Sequence, residues 1–227
     1  MRNTERVAGV AAISAAAVYL IQPLLVALNG AEEQGPLPAE VRDSWWAGAA
    51  QAVALGGVGV ALLVLVIALG LVLRERIGPL SAGQQAGQAL GVLGAAGWLV
   101  AAAVSLAGFS TVAAGIADSG ADEAAQRAAL DVVWVVLTAG LELASIGLAG
   151  WLAMISTVGR RAGLVGRPLA AAGLLVALVM LVTSLVVVPA GLLLLIPYLT
   201  FLGVRLLRRA RTAADPVLAG SSAGSMA

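Results

Sequence analysis

The sequence predicts an all-α fold, a single bundle of six transmembrane helices with both termini in the cytoplasm. Three observations carry that prediction. The 227-residue chain is 61% hydrophobic and 11% charged, with a mean hydropathy of +1.01, whereas a soluble domain keeps about a quarter of its residues charged. Its uncharged runs reach the length of about 20 residues that a helix needs to cross the hydrocarbon core. Its arginines fall between alternate runs, the asymmetry that orients membrane proteins.

The runs place the helices in order. Val7 to Ala31 holds the first, expected at about 7–29, and Ser44 to Leu73 the second, at about 46–73. Within Ile77 to Ala117 the third is expected at about 86–115, after a polar lead-in, "SAGQQAGQ". Val132 to Gly159 gives the fourth, at about 131–157, interrupted by Glu142. Pro168 to Val204 is too long for one span and long enough for two. It divides at "VVVPAG", where Pro189 and Gly191 suit a tight turn, giving helices at 168–188 and 190–207. These six make one domain over residues 1–211. Residues 212–227, "TAADPVLAGSSAGSMA" from Thr212, are small, polar and broken by Pro216, and are expected to be a disordered cytoplasmic tail.

All 13 basic residues are Arg. Arg2, Arg6, Arg74, Arg76, Arg160, Arg161, Arg167, Arg205, Arg208, Arg209 and Arg211 fall on one side of a six-helix model, leaving Arg42 and Arg127 on the other. Glu32, Glu33, Glu40, Asp43, Asp118, Asp122, Glu123 and Asp131 crowd the Arg-poor side in two short acidic loops. The rich side is therefore expected to be cytoplasmic. An undivided fifth run would strand the last four arginines outside, which supports the split independently. The first run is read as an anchor rather than a cleaved signal, because it is long for a signal core and "LNGAEE" offers no small-x-small cleavage site. The Ala, Gly, Val and Leu content without Lys fits a GC-rich bacterial genome, hence a multi-pass protein of a bacterial cell membrane.

Composition also narrows the chemistry. The chain has neither Cys nor His, so thiolate catalysis, a Ser-His dyad and an HExxH zinc site have no residues to use. No metal and no cofactor is expected. No basic patch interleaved with aromatics points to nucleic acid; the cytoplasmic arginines stand where anionic lipid lies. "GGVGV" at Gly56–Val60 sits within a span and has no Lys, so it is not a phosphate loop.

Small residues recur at helical spacing. Gly83, Gly87, Gly91, Gly94 and Gly97 line the third helix, and Gly140, Ala144 and Gly147 the fourth. Such faces let backbones approach closely in lipid, within one chain or across a homo-oligomer. Trp45, Trp46 and Trp134 stand at the expected outer interface as an aromatic belt, while Trp98 and Trp151 lie deeper, as core filling.

Glu142, in "VLTAGLELASIGLAG", is the one acid placed deep in the membrane. It lies roughly 16 Å below the outer end at 1.5 Å per residue. Asp131, Thr138, Glu142, Ser145 and Ser156 share a sector of about 60° on the fourth helix, a polar face that avoids lipid by turning inward. No arginine shares the depth of Glu142, so hydrogen bonds are expected instead, from Tyr19 and Gln22 on the first helix and Ser105 on the third. The candidate site is therefore Glu142, Ser145, Thr138, Tyr19, Gln22 and Ser105. It is read either as a structural tie between helices or as a proton or cation site in a small carrier.

"RVAGVAAI" at Arg6–Ile13 and "GLLLLIPYLTFLGVRLLRR" at Gly191–Arg209 resemble the first helix and the Pro-containing last helix of the bacterial six-helix membrane proteins of domain-of-unknown-function family 4386. The resemblance implies topology and membrane residence, and no catalytic residue comes with it. The expected role is that of a non-enzymatic structural or partner protein in the lipid bilayer, with the Glu142 carrier as the alternative.

Overall fold

The computed structural model describes residues 2–28, 45–118, 122–184 and 190–212. Among these described residues it is helical, with six helices long and apolar enough to span a membrane. These are α1 (Arg2–Leu28), α2 (Trp45–Ile77), α3 (Ala82–Asp118), α4 (Glu123–Arg161), α5 (Arg167–Ser184) and α6 (Leu195–Thr212). A 3-10 turn, Ala190–Leu194, leads into α6. The turn residue Pro189, the acidic segment between α1 and α2, and residues 213–227 of the expected tail lie outside the described residues.

Most helices run past their apolar cores, for legible reasons. The lead-in "SAGQ" is not a loop: the Ser81 backbone N–H donates to the Gln84 side chain at 2.8 Å, the reciprocal half of a capping box. Helix α3 therefore starts at Ala82 and not near Ala86. On α4, Asp122 is extended at φ −65°, ψ 158°, and its carboxylate accepts from the Ala125 N–H at 2.8 Å, a side-chain N-cap. Glu123 and Asp131, expected in or at the edge of an outer loop, thus belong to the first turns of a 39-residue helix. That helix is about 58 Å long at 1.5 Å per residue and overreaches a bilayer core. At the opposite end α2 stops at Gly78, whose φ of +80° suits glycine, with Pro79 behind it.

The helices pack in sequence, α1 on α2, α2 on α3, α3 on α4 and α4 on α5. Helix α6 returns to pack extensively on α1 and more lightly on α5. The tightest approach is α3 on α4. A Cβ built on Gly97 would stand 2.5 Å from the Gly140 carbonyl oxygen and 2.6 Å from the Ala144 nitrogen. One built on Gly147 would stand 2.5 Å from the Gly94 nitrogen and 2.6 Å from the Leu90 carbonyl oxygen. Here backbone touches backbone, and the gain is dispersion across a long seam rather than water release. The two small-residue faces are thus applied to each other inside one chain. Gly83 takes no part, having open space where a Cβ would go; the stripe begins at Gly87, opposite Met154.

Trp98 and Trp151 are buried in the core, as expected, while Trp46 and Trp134 face outward. Trp98 meets the Tyr19 ring edge-on, with centroids 4.9 Å apart at 76°, which ties α1 to α3 across α2.

The seam yields a contrast. Gly97→Ala has no side-chain neighbour that can yield, so the helices must separate, at a cost on the order of 2 kcal/mol. Gly83→Ala meets nothing and should be neutral or slightly stabilising. Thermal unfolding in detergent checks the ranking; equal midpoints for the two variants would contradict this packing.

Candidate functional site

The α4 polar face turns toward α5. The Ser145 hydroxyl donates to the Met180 carbonyl at 3.3 Å. That carbonyl also accepts from Ser184 at 2.8 Å, so two hydroxyls converge on one oxygen, while Thr183 donates to the Val179 carbonyl at 2.8 Å. One end of the face, Ser156, is buried beside Gly173, where the Tyr198 hydroxyl also arrives: a Cβ at Gly173 would meet the two oxygens at 2.2 and 2.8 Å. Thr138 is half-buried and Asp131 exposed. Thr183 and Ser184 carry no sequence signal beyond being the last polar pair before the α5–α6 break.

Glu142 is half-buried at the edge of this face, between buried Ser145 and the exposed Leu143 and Ile146. Among the described residues no hydrogen bond to it is formed. Its expected partners are engaged elsewhere. Ser105 donates to the Gly48 carbonyl of α2 at 3.3 Å. It also stands too far outward, because Gly140 meets Ala101 and Gly108 meets Val133, which puts Ser105 more than a turn beyond the level of Glu142. Tyr19 packs on Trp98, and α1 neighbours α2 and α6 rather than α4. The side chain of Gln22 lies outside the described residues. The six candidate residues are therefore not one cluster: Ser145, Thr138 and Glu142 share a helix face, while Tyr19 and Ser105 belong to other contacts.

A second polar assembly, at the arginine end, was not singled out by sequence. Helix α4 ends in a Schellman motif: the Gly163 N–H donates to the Arg160 carbonyl at 3.0 Å and the Leu164 N–H to the Gly159 carbonyl at 2.7 Å, with Gly163 at φ +69°. Beyond it three successive carbonyls accept from arginines. Ala162 takes Arg76 at 3.3 Å, Gly163 takes Arg209, and Leu164 takes Arg205 at 3.1 Å. Arg76 also pairs with the carboxylate of Glu5, which is 5% exposed. Helices α1, α2 and α6 are thereby fastened to the α4–α5 connection at one end of the bundle. The signal in the sequence is Glu5 itself, an acid among arginines on the side from which acids are otherwise scarce.

Gln88 makes a further lock. Its amide donates to the Val66 carbonyl across α2, over Gly70, where a Cβ would collide with it. No family model, curated protein or solved structure matches this chain.

The Glu5–Arg76 pair predicts a large single-mutant effect. Arg76→Ala leaves a buried carboxylate without its cation, at a cost of about 3 kcal/mol. Replacing both partners by Leu removes the charge as well and should recover much of that loss. Detergent melts of the single and double variants measure both; an Arg76→Ala midpoint equal to wild type would show that the pair contributes nothing.

Proposed function

We propose that the chain is a non-catalytic integral membrane protein, a structural or partner subunit, with its arginine end and both termini in the cytoplasm. The observation that carries this reading is how the interior polar groups are used. Ser105, Ser145 and Gln88 each donate to a backbone carbonyl of a neighbouring helix, and α3 and α4 meet backbone to backbone. Such contacts fix helices against one another, which is what a scaffold requires. The likeness of its first and last helices to domain-of-unknown-function family 4386 adds topology to this reading and no activity. The orientation rests on the eleven arginines that share one side.

Orientation has a direct test, since the chain has no cysteine of its own. Ala124→Cys at the acidic end should react with an impermeant thiol reagent in intact cells, and Arg211→Cys should react only after the cells are opened. The reverse pattern would invert the topology.

One observation favours the carrier as a second reading: Glu142, near the middle of α4, has no hydrogen-bond partner among the described residues. Glu142→Gln separates the two. Gln keeps the size and hydrogen-bonding capacity of the acid but cannot exchange a proton. For a scaffold, the variant should melt within about 0.5 kcal/mol of wild type, and proteoliposomes of either protein should pass no more protons than empty vesicles. A wild-type proton flux that the equally stable Gln variant lacks would make the protein a carrier.

A further inference from the structure

The arginines at the cytoplasmic end divide into two kinds. Arg76, Arg205 and Arg209 donate to carbonyls of the α4–α5 connection. Arg160 and Arg161, in the last turn of α4, and Arg167, the first residue of α5, are exposed, and their guanidinium groups make no hydrogen bond or ion pair among the described residues. These three charges rim one groove between α4 and α5, of about 480 Å³, floored by Ala170, Ala171 and Leu174.

Two features show that the groove is more than a charged edge. Ser156 also lines it; this hydroxyl is 1% exposed and its polar neighbour is the equally buried Tyr198 hydroxyl, so of the two O–H groups at least one is left without an acceptor, which is costly for a buried polar atom. The N-terminus of α5 opens at the same place: its first intrahelical acceptor, the Gly166 carbonyl, takes the Ala170 N–H at 2.9 Å, and before it the N–H groups of Arg167 and Leu169 lie outside the helical ladder, Pro168 having none. Guanidinium groups, a helix N-terminus and an O–H left without an acceptor all suit phosphate oxygens. The apolar floor continues from Leu174 outward along the exposed Leu178 and Leu181 of α5, the direction an acyl chain takes.

We infer that the α4–α5 groove is a binding site for an anionic glycerophospholipid of the leaflet facing the arginine end, its phosphate held by Arg160, Arg161 and Arg167 and its acyl chain laid along α5. The inference rests on membrane residence alone and is independent of the role of Glu142. A free phosphate ion shares the headgroup chemistry but does not use the apolar floor.

Native mass spectrometry of the full chain in detergent, titrated with phosphatidylglycerol, phosphatidylcholine or inorganic phosphate, counts each bound species by mass. Phosphatidylglycerol should bind about tenfold tighter than phosphatidylcholine, and inorganic phosphate should not saturate. The triple variant Arg160→Gln/Arg161→Gln/Arg167→Gln should lose that preference, and Ser156→Ala should weaken it about threefold. Arg208→Gln, which removes one positive charge outside the groove, should keep it. Equal binding of the two lipids, an unchanged preference in the triple variant, or the same loss in Arg208→Gln would overturn the site. Saturable phosphate binding as tight as that of the lipid would assign it to the free ion and overturn the lipid. No change in Ser156→Ala would remove the hydroxyl from it.

Discussion

The rest of the bundle depends on one steric fact: at Gly97, and again at Gly94 and Gly147, there is no room for a single carbon between α3 and α4, and at Gly140 the fit is tight. Water gives apolar side chains no reason to associate inside a membrane, because lipid is as apolar as they are. What remains is contact, and contact is densest where backbones touch. This seam sets the register of the two longest helices. Register then decides which polar groups meet: it places Ser105 beyond the reach of Glu142 and sets the α4 polar face against α5.

Polar groups do the complementary work. Apart from the Arg76–Glu5 pair, the interhelical hydrogen bonds described here end on backbone carbonyls rather than on other side chains. A carbonyl is a forgiving acceptor, with two lone pairs and a fixed position on the helix. The Met180 oxygen, already inside a helix, takes two hydroxyls, one from each of two helices. The same economy appears at the arginine end, where the carbonyls of residues 162–164 turn out of the Schellman motif and collect three guanidinium groups from two helices. Lysine could not replace them easily, since Arg76 reaches a carboxylate and a carbonyl at once through different nitrogens.

The architecture was legible in the sequence because the apolar runs and arginine clusters that report it are one-dimensional signals. The face of α4 was legible in part: Ser145 and Ser156 are buried against α5, whereas Asp131 is exposed and Glu142 stands at the edge. What could not be read was partner choice. Tyr19 and Ser105 have suitable chemistry for bonding Glu142, but their actual neighbours, Trp98 and Gly48, follow from inter-helix order and register, which only packing reveals. Two local signals were present and passed over. "SAGQ" has capping-box spacing, which brings Gln84 and Gln85 into α3, and Glu5 is an acid embedded in a basic end. Both were hidden by a first division of the chain into apolar span and polar remainder.

The Schellman loop has a consequence for how the protein is made. Its carbonyls at Gly163 and Leu164 are synthesised 46 and 41 residues before the arginines that satisfy them. At about 5–20 residues per second that gap lasts a few seconds. Helix α1 waits longer still, because its contact at Gly9 is with Gly203 and Leu207 of α6. A nascent chain that stops before Arg205 has five complete helices, an open loop and a first helix packed on α2 but not on α6. The final helix is therefore the clasp of the molecule, and a ribosome that falls short of it leaves a product that cellular proteolysis can tell from the finished one.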